Sequence, residues 1–140
     1  MRPTWDELWV GLAQQVARRS TCDRGQVGAV LVRGNRVLST GYNGAPKGLP
    51  TCDHEGHLMI GGRCARTVHA ELNAILNSEV RPEGATMYAT HLPCYLCAYA
   101  IIQSGVAVVR YVTVYEGAWP SAEVYLMLER AGVQVERIVG

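Results

Sequence analysis

The sequence predicts an α/β protein, a three-layer helix–sheet–helix sandwich around a mixed sheet, with residues 1–140 forming one domain. Three observations carry that prediction. The chain has 140 residues, 49% hydrophobic and 18% charged, which is ordinary globular composition and enough chain to bury one sizeable core. An amphipathic helix is followed by two β-rich runs meeting at Gly34-Asn35, the mark of an antiparallel hairpin. After residue 68, strands and helices alternate, the pattern of crossover units with parallel strands.

The elements follow in order. Thr4-Trp5-Asp6-Glu7 has the form of a capping box. Leu8, Leu12 and Val16 then recur at helical spacing, so the first helix should run from residue 4 to about 19. Gln26–Arg33 and Arg36–Thr40 read as the hairpin strands. From Gly41 to Arg66 no periodicity appears, and glycine and proline punctuate the stretch. A loop of that length inside a small domain is usually functional, disordered or pinned. Helix (Val68–Asn77), strand (Thr86–Ala89), helix (Cys94–Ser104) and strand (Ala107–Val114) come next, then helix (Ala122–Ala131) and strand (Val133–Ile138). Gly105 and Gly132 stand where helix C-terminal caps belong.

Charge and hydropathy exclude several functions. Thirteen basic and 12 acidic residues leave a net charge of +1, without the broad positive field that draws proteins to duplex nucleic acid or anionic membranes. The uncharged stretch Gly84–Val109 is interrupted by His91, Pro93, Gln103, Ser104 and Gly105, so no membrane span is expected. The N-terminus turns acidic at once and has no apolar signal core. Five cysteines without an export signal point to a reducing, cytoplasmic setting, where clustered cysteines mean metal or catalysis more often than disulfides.

His69-Ala70-Glu71 and Pro93-Cys94-Tyr95-Leu96-Cys97 carry the chemistry. Cys94 and Cys97 stand three apart, so both sulfurs project from one helix face. Pro93 suits the first helical position, and the helix dipole there favours the thiolates a metal needs. His69 and Glu71, two apart, would splay to opposite sides of a helix interior; they converge only at an entry turn whose first residue is not yet helical. The reading therefore demands two helix N-termini aimed at one spot. One imidazole and two thiolates leave a fourth tetrahedral position open, the catalytic form of a zinc site. Two thiolates cancel the charge of Zn²⁺, so the bound water is only partly acidified, and Glu71 is the carboxylate available to take its proton. A redox pair at Cys94 and Cys97 is the rival reading, and it leaves His-Ala-Glu unexplained.

H-x-E followed by P-C-x-x-C resembles the signature of the zinc nucleobase deaminases. Beyond that signature, the chain resembles the deoxycytidylate (dCMP) deaminases, especially the bacterial form encoded at competence loci. This resemblance runs from about Thr21 to Tyr115. It rests on Cys22 with Val27-Gly28-Ala29-Val30, the loop Gly41-Tyr42-Asn43-Gly44-Ala45-Pro46-Lys47-Gly48, Cys52, Cys64, His69 to Ile75, and Met87 to Cys94 leading to Cys97-Ala98. It implies a five-stranded mixed sheet of the cytidine deaminase-like fold and hydrolysis of dCMP to dUMP and ammonia. Zinc-activated water would attack C4 of the cytosine, while Glu71 moves a proton from that water to N3 and assists departure of the amino group. The residue matching Asn43 contacts the sugar and base region, and the backbone beside Ala70 helps hold the pyrimidine. Many relatives are hexamers switched by dCTP with Mg²⁺ (activating) and dTTP (inhibiting), so the resemblance extends to those effectors and to a homo-oligomer. For the 5′-phosphate, which needs cationic or N–H donors, Arg24 and Lys47 are the candidates, in loops flanking the pocket.

Cys22, Cys52, His57 and Cys64 remain. The aperiodic loop cannot bury a core of its own, and four soft ligands would close a structural zinc site that pins it. Related deaminases resemble this in carrying a structural zinc at corresponding cysteines, and the competence-type form has Cys where this chain has His57. His54 and His91 are rival fourth ligands, and free buried thiols or a disulfide are the alternative. Other enzymes of the superfamily, acting on a nucleoside, guanine or a tRNA adenine, would keep His69, Glu71, Cys94 and Cys97. A non-catalytic zinc module would have no use for Glu71.

Overall fold

The structure, a computed structural model, describes residues 1–114 and 120–140. Tyr115, where the family resemblance ends, lies outside the described residues. Helix α1 (Trp5–Ala17) starts at the predicted capping box: Glu7 N–H donates to Thr4 Oγ1 at 3.1 Å, and Thr4 N–H to Glu7 Oε1 at 3.0 Å. Strands β1 (Gly28–Arg33) and β2 (Arg36–Tyr42) form the hairpin. Gly34 and Asn35 both have positive φ, 59° and 57°, as a two-residue type I′ turn requires. Strand β1 begins later than the sequence suggested, because the Val27 N–H is held by the Asn43 side chain and not by a neighbouring strand.

The stretch that lacked periodicity contains three short elements: α2 (Cys52–Glu55) and a miniature hairpin of β3 (Met59–Ile60) and β4 (Arg63–Cys64). Helix α3 (Ala70–Asn77) begins two residues after Val68. Val68 is committed elsewhere, since its backbone forms an antiparallel bridge with Gly44. Then come β5 (Thr86–His91), α4 (Tyr95–Ser104), β6 (Val108–Thr113), α5 (Ser121–Arg130) and β7 (Gln134–Arg137). Gly105 caps α4 in the left-handed region, φ 85°, as predicted.

The five-stranded sheet has the order β2-β1-β5-β6-β7. Strand β1 is antiparallel to both β2 and β5, while β5, β6 and β7 run parallel through the α4 and α5 crossovers. The sheet is mixed, as expected. Helix α1 covers one face, packing Trp9, Val10 and Ala13 on Val30, Val32 and Tyr88. Helices α3, α4 and α5 cover the other, where Ala74, Ile101 and Leu128 meet Leu31, Met87 and Val109. The α1 face is pinched at Gly28, where an added Cβ would lie 2.1 Å from the Ala13 carbonyl oxygen. Among the described residues no helix is long and apolar enough to cross a membrane.

Candidate active site

Two helix N-termini build the site. His69 is the N-cap of α3, with extended backbone (φ −65°, ψ 148°), and Cys94 is the N-cap of α4 (φ −72°, ψ 170°). The first residue of the His-Ala-Glu segment is therefore outside the helix, the condition under which His69 and Glu71 can converge. Pro93 does not take the first helical position. The Cys94 thiol accepts the Cys97 N–H at 3.4 Å and so does the work of a capping side chain, which makes Tyr95 the first helical residue.

His69 Nδ1 lies 3.4 Å from Cys94 Sγ and 3.4 Å from Cys97 Sγ. The three donor atoms all lie within 4.8 Å of one another, and both cysteines are buried. An imidazole nitrogen and two sulfurs at this spacing suit a zinc ion, whose bonds to such donors are about 2.0–2.3 Å long. The electrostatics agree. The Cys97 thiol, with His69 and the Cys97 N–H, lowers Cys94 to about 4, against the raising effect of burial. Cys97 is pushed in the opposite direction by the Cys94 thiolate and by burial. The hydrogen bond with Cys94 raises His69, with burial opposing it.

Glu71 is only 5% exposed. Burial raises its carboxyl to about 7, opposed by its own backbone N–H and by His69 and reinforced by the Cys94 charge. A carboxyl near 7 can either hold or release a proton at neutral pH, which is what a general acid–base group must do.

Ala70 is the first residue of α3 and is fully buried; no intrahelical bond uses an N–H at that position. Asn43 is buried, and its carboxamide is engaged with the protein. Oδ1 accepts the Val27 N–H at 2.8 Å and pairs with the Ser20 hydroxyl, and Nδ2 donates to the Gly25 carbonyl. Asn43 thus ties the segment containing Arg24 to the loop containing Lys47; both cations are exposed. Sequence reading missed Arg63 of β4, whose charge reaches His69. It also gave no role to Asn73 and Asn77, which lace α3 to β2 by donating to the Tyr42 and Thr40 carbonyls at 2.9 and 3.2 Å. Their four-residue spacing on one helix face was the available signal.

The structure also draws together Cys22, Cys52, His57 and Cys64, with all four donor atoms within 4.8 Å. Cys22 Sγ is 3.4 Å from His57 Nδ1, and Cys52 Sγ is 3.5 Å from Cys64 Sγ. His54 and His91, the rival donors, are outside this group, and all five cysteines are free thiols. Against the raising effect of burial, backbone hydrogen bonds from Arg66 and Leu58 bring Cys64 down to about 6, whereas burial and the neighbouring sulfurs push Cys52 up to about 12.

Comparison with known proteins agrees with this geometry. Residues 3–113 match the family model described as the cytidine and deoxycytidylate deaminase zinc-binding region. A deoxycytidylate deaminase of Mycobacterium phage D29 is 42% identical over 123 residues, covering 79% of this chain and 95% of the phage protein. ComE operon protein 2 of Bacillus subtilis is 42% identical over 140 residues, 98% of this chain and 72% of that protein. The crystal structure of dCMP deaminase from cyanophage S-TIM5, in complex with dCMP and dUMP, superposes with a TM-score of 0.83 at 31% identity, covering 99% of each chain. The chain belongs to the zinc-binding cytidine and deoxycytidylate deaminase family.

Proposed function

We propose that this protein hydrolyses dCMP to dUMP and ammonia, with His69, Cys94 and Cys97 holding a zinc ion and Glu71 as the general acid–base. The observation that carries the reading is the buried Glu71 carboxyl, raised to about 7, beside three converging metal donors. The ion, when bound, supplies Lewis acidity that lowers the pKa of a water molecule. Glu71 accepts that water's proton and delivers it to N3 of the cytosine, where attack at C4 builds up charge. It then assists departure of the amino group as ammonia. Both protons of the water are used, one placed on N3 and one on the departing amino group, with the same carboxyl carrying each in turn, and a positioned group of this kind is worth roughly 10²–10⁴ in rate.

The backbone at Ala70 orients the pyrimidine, and Asn43 contacts the sugar and base region from the loop junction it secures. Arg24, Lys47 and Arg63 are the cations offered to the 5′-phosphate. Cys22, Cys52, His57 and Cys64 hold a second, structural zinc that orders the segment around α2, β3 and β4. Activation by dCTP with Mg²⁺, inhibition by dTTP, a homo-oligomer and a cytoplasmic setting belong to the same reading, supported by the family resemblance. So many donor thiols need a reducing compartment to stay reduced.

Separate incubation with dCMP, deoxycytidine and cytidine, each with and without dCTP, tests the assignment. Loss of cytosine absorbance with dCMP is expected, and its absence rejects the assignment. Glu71→Gln should retain the fold and the zinc and lose turnover. Cys94→Ala should lose the catalytic zinc, and elemental analysis should find two zinc ions per wild-type chain.

A further inference from the structure

We propose that Asp23 is a positioning residue of the second metal centre, fixing the tautomer and ring orientation of His57 as a metal donor. The inference rests on reading Cys22, Cys52, His57 and Cys64 as a zinc site. His57 is held from two sides: Nδ1 faces Cys22 Sγ at 3.4 Å, and Nε2 lies 3.0 Å from Asp23 Oδ1. An ionised carboxylate only accepts hydrogen bonds. Nε2 must therefore carry a hydrogen, and in the neutral ring that binds a metal this leaves the Nδ1 lone pair facing the sulfurs. A metal-binding histidine whose far N–H rests on a carboxylate is both oriented and made more basic.

Chain geometry makes the support local. Asp23 directly follows Cys22, so one tight turn supplies a metal donor and the brace for another donor 35 residues away. The Asp23 side chain is 84% exposed, and exposed ion pairs contribute little by themselves. Any large effect of Asp23 must therefore pass through the ring of His57.

The test is zinc release from the fully loaded, full-length protein to a chromogenic chelator, with metal content measured before and after. Cys64→Ala identifies the release phase of the second zinc by lacking it. Asp23→Ala should release that zinc about 10–100-fold faster and leave the catalytic zinc phase unchanged. Asp23→Asn, whose amide oxygen still accepts the bond, should fall between. In a His57→Cys background, Asp23→Ala should have no effect on release. Unchanged release in Asp23→Ala, or equal acceleration in both backgrounds, would overturn the positioning role. A wild-type chain that binds one zinc would instead overturn the metal-site reading beneath it.

Discussion

Gly41 of β2 sits so close to Ala70 at the start of α3 that an added Cβ would lie 2.2 Å from the Ala70 carbonyl oxygen and 2.4 Å from the Ala74 nitrogen. Both neighbours are backbone atoms and cannot swing away, so the helix that carries His69 and Glu71 is seated directly on the sheet.

Gly41→Ala should therefore push α3 outward, at about 1–3 kcal/mol or more of stability, measured by urea unfolding. It should also move His69 and Glu71 away from Cys94 and Cys97 and depress turnover of molecules that remain folded. Gly28→Ala makes the matched control. It forces a similar clash against Ala13 and Ala17 of α1, on the opposite face. Its loss of stability should be comparable, with far less loss of turnover per folded molecule.

The raised carboxyl of Glu71 gives a pH signature in the metal-free protein. Its ordinary value is 4.5, and the folded value is about 7. The native state thus holds this proton more tightly than the unfolded chain does. Below about 4.5 the group favours folding fully, and the advantage is lost as pH rises through about 7. Relative to Glu71→Gln, wild-type stability should fall by about 3 kcal/mol across that window, read by urea unfolding at a series of pH values. A difference that stays flat with pH would show that the carboxyl is not desolvated.

Asn43→Ala removes the acceptor for the buried Val27 N–H and the links to Ser20 and Gly25. An unsatisfied buried donor costs about 1–3 kcal/mol, so the melting temperature should drop. KM for dCMP should rise, because the loop carrying Lys47 loses its tie to the segment carrying Arg24.

Arg63→Ala separates phosphate recognition from effects on the metal. If the guanidinium reads the 5′-phosphate, KM for dCMP should rise while kcat/KM for deoxycytidine stays near its original value. Equal losses on both substrates would assign Arg63 to His69 and not to the nucleotide.

The fold was largely legible in the sequence because its signals are local. The Thr4–Glu7 capping box, the Gly34-Asn35 turn and Gly105 each specify one backbone conformation and were found where expected. The donors were legible because a tetrahedral ion constrains both residue type and spacing. Features that depend on distant partners were hidden. Val68 has the pattern of a helical residue, yet its backbone bridges to Gly44, and Pro93 has the pattern of a helix start, yet the Cys94 thiol is the cap. Gly41 read as punctuation, since nothing local reveals that α3 presses on it. Arg63 carries no local signal, because β4 is two residues long and has no periodicity.

His69 and Cys94 each stand one step ahead of the helix they open. Everything past the first turn of α3 and α4 is thereby released from chemical duty. Substitutions on the outward faces of these helices, at Leu76 or Tyr99 for instance, should therefore leave the donor atoms where they are.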